Sequence, residues 1–389
     1  MTDHFDLVVI GGGIHGAGVA QAAACGGYSV LLLEQTALAA GTSSRSSKLI
    51  HGGLRYLEGH NYALVRESLR ERAILLQIAP ELVRLQPFHI PIYPDTSRRP
   101  PTIRAGLSLY ALLGGLDRAS RFRKLRMPEW DALDGLDTGN LQAVYRYHDA
   151  QTDDVALTRA VMQSAIEFGA TLACPAEFIA AAISRQGSEI SYRQDGAEKT
   201  CTTRALVNAA GPWVRSVDAM ITPAPPAVPV DLVQGTHLIL QEPLARGCYY
   251  LEAPTDRRAV FLLPWGEHSL LGTTENQYHG DPSGVRPLPT EESYLLAVLQ
   301  HYFPGRSTQV MERFAGLRVL PASGSAAFQR SRETHLPVDH SRQPRLVSIY
   351  GGKLTGYRAT AHKVLRLLQR SLPARRAIAD TARLPLHPV

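Results

Sequence analysis

The first thirty-four residues constrain the fold more than any other part of this sequence. Residues 5–10 (FDLVVI) are an apolar run of β-formers, residues 11–18 are dense in glycine, and residues 17–25 are rich in alanine. A second apolar run, residues 29–33 (SVLLL), ends at Glu34. This order predicts strand, tight turn, helix and parallel strand, which is a βαβ unit.

The turn between strand and helix carries the pattern G-x-G-x-x-G at Gly11, Gly13 and Gly16. The first glycine permits the tight turn, the second lets backbone approach a pyrophosphate, and the third allows close contact between helix and strand. The helix N-terminus favours phosphate, and a carboxylate at Glu34 can accept hydrogen bonds from ribose hydroxyls. The sequence therefore predicts a dinucleotide site. Because no second unit of comparable quality follows, a reductase that binds two dinucleotides is disfavoured. A fingerprint at the extreme N-terminus, followed by a long discontinuous chain, suits FAD better than NAD.

Composition excludes several classes of protein. Hydrophobic residues make up 44% and charged residues 20%, as in an ordinary soluble globular protein. The cysteines, Cys25, Cys174, Cys201 and Cys248, form no C-x-x-C pair, so neither a zinc site nor a redox dithiol is expected. No apolar run reaches the roughly 18 residues that cross a bilayer, and no secretory signal opens the chain. We expect a cytoplasmic protein, with peripheral contact to the inner membrane left open.

The net charge of +6 favours an anionic partner. Nucleic acid is disfavoured because no binding motif or aromatic stacking pattern accompanies the charge. Residues 104–130 join an apolar stretch to a basic run, and they are interpreted either as an amphipathic surface helix that docks on anionic lipid or as a solvated basic face. A phosphorylated substrate is the third anionic candidate.

Further along the chain, residues 62–79 have helical apolar spacing, whereas the five prolines in residues 87–101 predict irregular structure. Residues 205–209 and 346–350 look like late strands of the nucleotide domain. The β-rich runs at residues 237–240, 259–263 and 269–273 predict an antiparallel sheet that roofs a ligand site.

Residues 42–58 (TSSRSSKLIHGGLRYLE) resemble the FAD-dependent glycerol-3-phosphate dehydrogenases and the related glycerophosphate oxidases, within the D-amino-acid-oxidase-like flavoproteins. Further matches follow in order at residues 207–213, 235–237, 264–265, 271–274, 316–318 and 351–358. The resemblance covers essentially the whole chain. Members usually carry a further C-terminal helical domain, and this chain stops soon after the helix that follows Lys353.

The resemblance implies FAD as the cofactor and a fold of the α/β class. The expected architecture is a Rossmann-like, discontinuous FAD-binding domain with an α+β substrate domain built on an antiparallel sheet. The FAD-binding domain is assigned to residues 1–90, 150–228 and 310–389, and the substrate domain to residues 91–149 and 229–309. No metal is expected.

The residues expected to bind the cofactor lie in the glycine turn, at the end of the second strand, in the serine-rich segment, and in the two late strand ends. They are Gly11, Gly13, Ile14, His15, Gly16, Glu34, Thr42, Ser43, Ser44, Ser47, Lys48, Leu49, His51, Gly52, Gly53, Ala210, Gly211, Trp213, Gly351, Gly352, Lys353, Leu354 and Thr355.

Oxidation of a secondary alcohol needs a hydride acceptor, a group that takes or orients the hydroxyl proton, and cations that grip a phosphate. The resemblance places His237, Arg318, Lys353 and Arg55 in the catalytic set. The expected substrate contacts are Arg55, Tyr56, Arg318, Arg332 and Lys353. His237 is the candidate either for accepting the proton or for orienting the alcohol.

The implied reaction is oxidation of sn-glycerol 3-phosphate to dihydroxyacetone phosphate, with hydride transfer to flavin N5 and electrons passed to a quinone. One alternative is an oxidase of the same or another hydroxy or amino substrate that releases hydrogen peroxide. Another is a flavin-binding protein without catalysis. A homodimer is left open.

Overall fold

The computed structural model describes residues 3–322 and 333–389, which form two β-sheets covered by helices. The strands are β1 Asp3–Ile10, β2 Val30–Leu33, β3 Leu49–Ile50, β4 Val83–Ile92, β5 Arg123–Lys124, β6 Ala143–Thr152, β7 Thr171–Ala173, β8 Glu177–Ser184, β9 Gly187–Gln194, β10 Ala197–Asn208, β11 Ile221–Thr222, β12 Val230–Leu240, β13 Cys248–Glu252, β14 Ala259–Trp265, β15 His268–Gly272, β16 Asn276–Tyr278, β17 Val310–Pro321 and β18 Leu346–Ser348. The helices are α1 Ile14–Cys25, α2 Tyr62–Ile78, α3 Pro100–Leu113, α4 Asp154–Glu167, α5 Val214–Asp218, α6 Pro289–Tyr302 and α7 Tyr357–Leu368.

The first sheet has a parallel core in which β7, β2, β1, β10 and β18 are neighbours. Its central strands are buried on both faces and are correspondingly apolar throughout. The predicted βαβ unit is confirmed, with α1 between β1 and β2. The α/β class with a Rossmann-like domain is likewise confirmed.

Helix α1 packs closely because its side chains are small. Ala17, Ala20, Ala23 and Ala24 are fully buried, and α4 and α7 pack against this helix. Small side chains let the backbones approach, so the helix N-terminus is held firmly at the carboxyl edge of the sheet. The glycine turn, which directly precedes α1, is therefore held at the same edge of the sheet.

The second sheet contains the antiparallel strands predicted from the late β-rich runs. β12 pairs with β15, β15 with β14, and β14 with β13, all antiparallel. On its other edge β12 pairs along its whole length with β17. β12 is therefore an interior strand that is paired on both edges, and this pairing fixes the backbone that carries His237.

The expectation of irregular structure across the proline-rich residues 87–101 holds for residues 93–99 and is wrong for residues 87–92 and 100–101. β4 runs through Pro87 and Pro91 and pairs with β6 over its whole length. On its other side, β13 pairs with β4 only at Phe88 and His89. Most of that edge is not hydrogen-bonded to another strand, so a proline there removes no N–H donor that the sheet uses. Pro100 begins α3, the position at which proline suits a helix.

The amphipathic helix expected in residues 104–130 is only partly present. Helix α3 ends at Leu113, and the basic run beyond it lies in short 3₁₀ turns and in β5. Within this run Arg123 forms an ion pair with Glu129 at 2.5 Å. Glycine residues at 114 and 115 follow the helix directly and end it before the basic residues.

The two sheets divide the chain differently from the predicted domain ranges. Strands β3 and β17 belong to the second sheet, although the predicted ranges place residues 1–90 and 310–389 in the first unit. Strand β4 also joins the second sheet. The division into a cofactor domain and a substrate domain stays a prediction.

A buried carboxylate at the start of α4 holds the serine-rich segment. Asp154 accepts hydrogen bonds from Ser46 N–H at 3.1 Å, Ser46 Oγ at 2.6 Å and Lys48 Nζ at 2.6 Å. Its side chain is fully buried, and that of Lys48 is 6% exposed. Loss of either charge leaves its partner buried without compensation.

We expect Asp154→Ala to lower the free energy of unfolding by about 3–5 kcal/mol, because it strands the Lys48 ammonium in the interior. The matched control is Glu67→Ala, which removes the exposed Glu67–Lys363 pair and costs less than about 1 kcal/mol. Urea denaturation of the flavin-free proteins measures both. Equal losses in the two variants would contradict the importance of the buried pair.

Candidate functional site

A cavity of about 740 Å³ is lined by residues of both sheets. Its size is that of a site for a cofactor or drug-sized ligand. One part is formed by the glycine turn, Glu34 and the start of α1, and another by residues of β12, β14 and β17. The segment from residue 40 to residue 56 and the loop Gly351–Thr355 complete the lining.

The glycine turn at the end of β1 leaves no room for side chains. Gly11 has φ +103°, and an added Cβ would lie 2.7 Å from the carbonyl oxygen of Ala209. A Cβ at Gly16 would lie 1.9 Å from the carbonyl oxygen of Gly11. The cradle is therefore shaped by backbone, as close approach to a pyrophosphate requires.

Glu34 lies at the end of β2 and borders this cradle. Its Oε2 accepts a hydrogen bond from Gly12 N–H at 2.7 Å, and its Oε1 accepts from Thr36 N–H at 2.8 Å. Oε1 also accepts from Thr36 Oγ1 at 3.0 Å, so Oε2 is the oxygen that keeps an acceptor position for a ribose hydroxyl. This is the role predicted for it.

The serine-rich segment connects the glycine turn to the second sheet. Ser43 Oγ accepts from Ile14 N–H at 2.9 Å, and Thr42 Oγ1 donates to the carbonyl oxygen of Leu317 at 2.8 Å. Ser47 Oγ lies 2.9 Å from Nε2 of His237. One short segment thus touches the cofactor cradle and both walls of the cavity.

His237 is almost completely buried. Its ring stacks on Phe314 with centroids 5.0 Å apart and an interplanar angle of 15°. Burial lowers the pKa of His237 well below its usual value, and the positive charges of Arg318 and Lys48 lower it further. The imidazole is therefore neutral at physiological pH.

Cationic side chains lie around the cavity, each oriented by nearby groups. Arg318 donates to Thr273 Oγ1 at 3.1 Å and forms an ion pair with Glu275 at 3.4 Å. Lys353 Nζ donates to Ser68 Oγ at 3.0 Å and lies 4.3 Å from the ring centroid of Tyr56. The same ring lies 5.9 Å from the guanidinium of Arg55. Such a set suits an anionic ligand.

The structure fits a flavin dinucleotide at His15, where two observations concern the same side chain. Nδ1 of His15, at the start of α1, is buried with no hydrogen-bond partner among the described residues. Gly352 has φ +107°, and a Cβ there would lie 2.3 Å from His15 Nε2. A polar atom that lacks a partner and a side-chain-free loop against it are what a polar cofactor needs. Burial lowers the pKa of His15 to about 4, so it binds as the neutral ring.

Most residues predicted from the sequence border the cavity, and a few do not. Those that border it are Gly11, Gly13, Ile14, His15, Glu34, Thr42, Ser43, Ser47, Leu49, His51, Gly53, Arg55, Tyr56, Ala210, Gly211, Trp213, His237, Arg318, Gly351, Gly352, Lys353, Leu354 and Thr355. Those that lie behind the lining are Gly16, Ser44, Lys48 and Gly52. Arg332 lies outside the described residues.

Lys48 and Gly52 support the lining from behind. Lys48 Nζ donates to Asp154 and to the carbonyl oxygen of Ser44, both at 2.6 Å. Gly52 N–H donates to Asp149 at 3.3 Å, and Asp149 is paired with the buried Arg72 at 2.5 Å. These contacts hold the segment that carries His51 and Gly53.

Sequence reasoning missed polar residues of the second sheet that line the cavity. Arg258, at the residue before β14, donates to the carbonyl oxygen of Glu275 at 2.8 Å. Glu275 directly follows the matched residues 271–274, so extending that match by one residue finds it. Arg258 and Asp149 stand in no motif, and only the fold brings them to the site.

Comparison with known proteins gives a consistent picture. The family model described as FAD dependent oxidoreductase (DAO) matches residues 6–359. The chain is 38% identical over 378 residues to a glycerol-3-phosphate dehydrogenase of Pseudomonas aeruginosa, covering 95% of this chain and 72% of that protein. It is 36% identical over 378 residues to a D-erythritol 1-phosphate dehydrogenase of Brucella abortus, covering 95% of this chain and 74% of that protein.

A solved structure extends the likeness to three dimensions. The glycerol-3-phosphate dehydrogenase of Bacillus halodurans complexed with FAD matches with a TM-score of 0.74 and 26% identity. The match covers 98% of this chain and 68% of that one.

We expect Gly16→Ala to abolish retention of FAD, because the new methyl group meets the carbonyl oxygen of Gly11 and opens the cradle. The matched control is Gly106→Ala on α3, where an added Cβ meets nothing within 4 Å. The ratio of flavin to protein absorbance in the purified variants measures the effect. A Gly16→Ala protein with a full complement of flavin would show that this contact does not shape the cradle.

Proposed function

Because the chain belongs to the FAD dependent oxidoreductase family, we propose that it oxidises the secondary alcohol of a small polyol phosphate, with glycerol 3-phosphate as the first candidate. FAD is its cofactor. The observation that carries the proposal is the meeting of the glycine cradle with Arg55, Arg318 and Lys353 in one cavity. Relatives named for glycerol 3-phosphate and for D-erythritol 1-phosphate support the substrate class.

The bound flavin supplies the hydride acceptor. The chain itself holds the substrate, with Arg55, Arg318 and Lys353 as the cations for its phosphate. Arg332 belongs to the proposed set by resemblance. Tyr56 lies between Arg55 and Lys353 and adds a hydroxyl group.

The loop Gly351–Thr355 serves the cofactor end of the cavity. It connects β18 to α7, and Thr355 Oγ1 accepts a hydrogen bond from His51 N–H at 3.1 Å. This bond joins the two glycine-containing segments that border the proposed flavin ring. A helix start near the flavin favours negative charge on the reduced ring.

We expect glycerol 3-phosphate or D-erythritol 1-phosphate to bleach the flavin band under anaerobic conditions, and glycerol at the same concentration to leave it unchanged. Arg318→Ala retains FAD and lowers the rate of bleaching by about 10- to 100-fold, the effect of losing a charged hydrogen bond. Arg313→Ala is the matched control, because Arg313 lies on the same strand, has a side chain that is 45% exposed and pairs with Glu292. Equal rates in the two variants would remove Arg318 from the site.

For the second half-reaction we propose a quinone as the electron acceptor, reached at a membrane surface. Leu112, Leu116 and Met127 are 61%, 62% and 70% exposed, and Lys124 and Arg126 are exposed in the same stretch of chain. Apolar side chains among basic ones suit anionic lipid. No helix in the described ranges is long and apolar enough to cross a bilayer.

We expect the combined change of Leu112, Leu116 and Met127 to serine to lower cosedimentation with anionic vesicles by on the order of tenfold, because each leucine or methionine loses its apolar contact with lipid. Met311→Ser is the control, since Met311 is 50% exposed on β17. Neutral phosphatidylcholine vesicles give the charge dependence. Unchanged binding of the triple variant would refute this surface.

The electron acceptor is tested separately. Release of peroxide as fast as reduction of quinone would assign the oxidase alternative.

A further inference from the structure

The hydrogen bond between Ser47 and His237 decides which of two roles the imidazole plays. The two side chains come from different parts of the fold, one from the serine-rich segment and one from β12, and both line the cavity. Their Oγ and Nε2 atoms are 2.9 Å apart, a normal hydrogen-bond length. The direction of this bond depends on which ring nitrogen carries the proton.

Packing holds the His237 ring in one orientation. In the strand register, His237 lies opposite Phe314 on one side and opposite Gly272 on the other. The ring stacks on Phe314, and a Cβ at Gly272 would lie 2.2 Å from its Cδ2 atom. The absence of a side chain at Gly272 makes the space that the ring fills, so Nε2 stays directed at Ser47.

The other ring nitrogen faces the interior. Nδ1 of His237 is buried and has no hydrogen-bond partner among the described residues. A buried N–H group without an acceptor is rarer in proteins than a buried acceptor without a donor. The neutral ring therefore carries its proton on Nε2, where Ser47 Oγ can accept it.

We propose that His237 is a positioning residue that donates from Nε2 to Ser47, and that Ser47 in turn donates its own hydroxyl proton to an oxygen atom of the substrate. This inference rests on the proposed function, because it assigns the oxygen to a polyol phosphate in the cavity. It selects orientation of the alcohol over acceptance of its proton.

The charges around the ring agree with a donor role. Arg318 approaches from β17 and Lys48 from the serine-rich segment, and both disfavour a positive charge on the imidazole. A ring that stays neutral keeps Nε2 as a donor across the physiological range. No ionisation of His237 then enters the pH dependence of flavin reduction.

The decisive comparison uses a glutamine, whose amide N–H₂ can replace Nε2–H but cannot accept a proton as a base. We expect His237→Ala to slow anaerobic reduction of the flavin holoenzyme about 30-fold, a little beyond the range of one neutral hydrogen bond. His237→Gln reduces the flavin at least tenfold faster than His237→Ala does, and it keeps the pH profile of the native protein. A glutamine variant as slow as the alanine variant, with one ionisation missing from the profile, would overturn the proposal.

The serine gives a second test that does not depend on repacking the buried ring. Ser47→Ala slows reduction about tenfold, and Ser47→Thr, which keeps the hydroxyl, restores most of the rate. Ser108→Ala is the control, because Ser108 is exposed on α3 and bonds only within its helix. A Ser47→Ala protein as fast as the control would overturn the role of this hydroxyl.

A spectroscopic measurement separates this inference from the proposed function. ¹⁵N NMR of the histidines in substrate-free holoenzyme, with His237→Gln to assign the resonance, reports which nitrogen carries the proton. A proton on Nε2 supports the donor role, and a proton on Nδ1 overturns it. If no polyol phosphate reduces the native protein, the proposed function and the substrate end of this inference fail together, while the NMR result still decides the direction of the bond.

Discussion

The buried carboxylate of Asp154 fixes the segment on which the whole cavity depends. Residues 42–48 reach the glycine turn through Ser43, the second sheet through Thr42, and the ring of His237 through Ser47. Asp154 binds the segment from behind through Ser46 and Lys48. Because a buried ion pair must be fully satisfied to be tolerated, this anchor has little freedom, and the cofactor cradle and the substrate wall keep one relative position.

The cavity walls place positive charge by means of specific partners. Lys353 is held by a serine of α2, and Arg318 is held by Thr273 and Glu275 beyond the end of β15. Side chains held in this way would lose less conformational entropy on binding the proposed phosphate. The pairing of Arg318 with Glu275 also reduces the net positive charge of the cavity wall.

The sequence was most informative where one local pattern has one structural solution. Gly11, Gly13, Gly16 and Glu34 are examples, because each position is dictated by backbone space or by the edge of a strand, and their contact with the cofactor stays a prediction. The family resemblance and FAD are confirmed by the match over residues 6–359. Pro87 and Pro91 were misleading, because a strand accepts proline where its edge is not hydrogen-bonded to a neighbour. How little of this edge of β4 is paired with β13 depends on the tertiary fold and is not visible in the local sequence. The basic residues after Leu113 were wrongly predicted to continue the helix, because the glycines at 114 and 115 end it before them.

Residues that act from behind the lining are the hardest to find in a sequence. Lys48 stands within a motif of cavity residues, yet its side chain turns to Asp154, more than a hundred positions away in the chain. Arg72 and Tyr110 hold Asp149, which borders the cavity and accepts a hydrogen bond from Gly52 N–H, and these three residues come from separate elements and belong to no motif. A motif shows that a segment is important for the site, but only tertiary contacts separate the side chains that face a ligand from those that hold the segment. In this fold the distinction falls between adjacent residues, with Ser47 facing the cavity and Lys48 anchoring it, because the left-handed backbone at Lys48 (φ 58°) redirects the chain there.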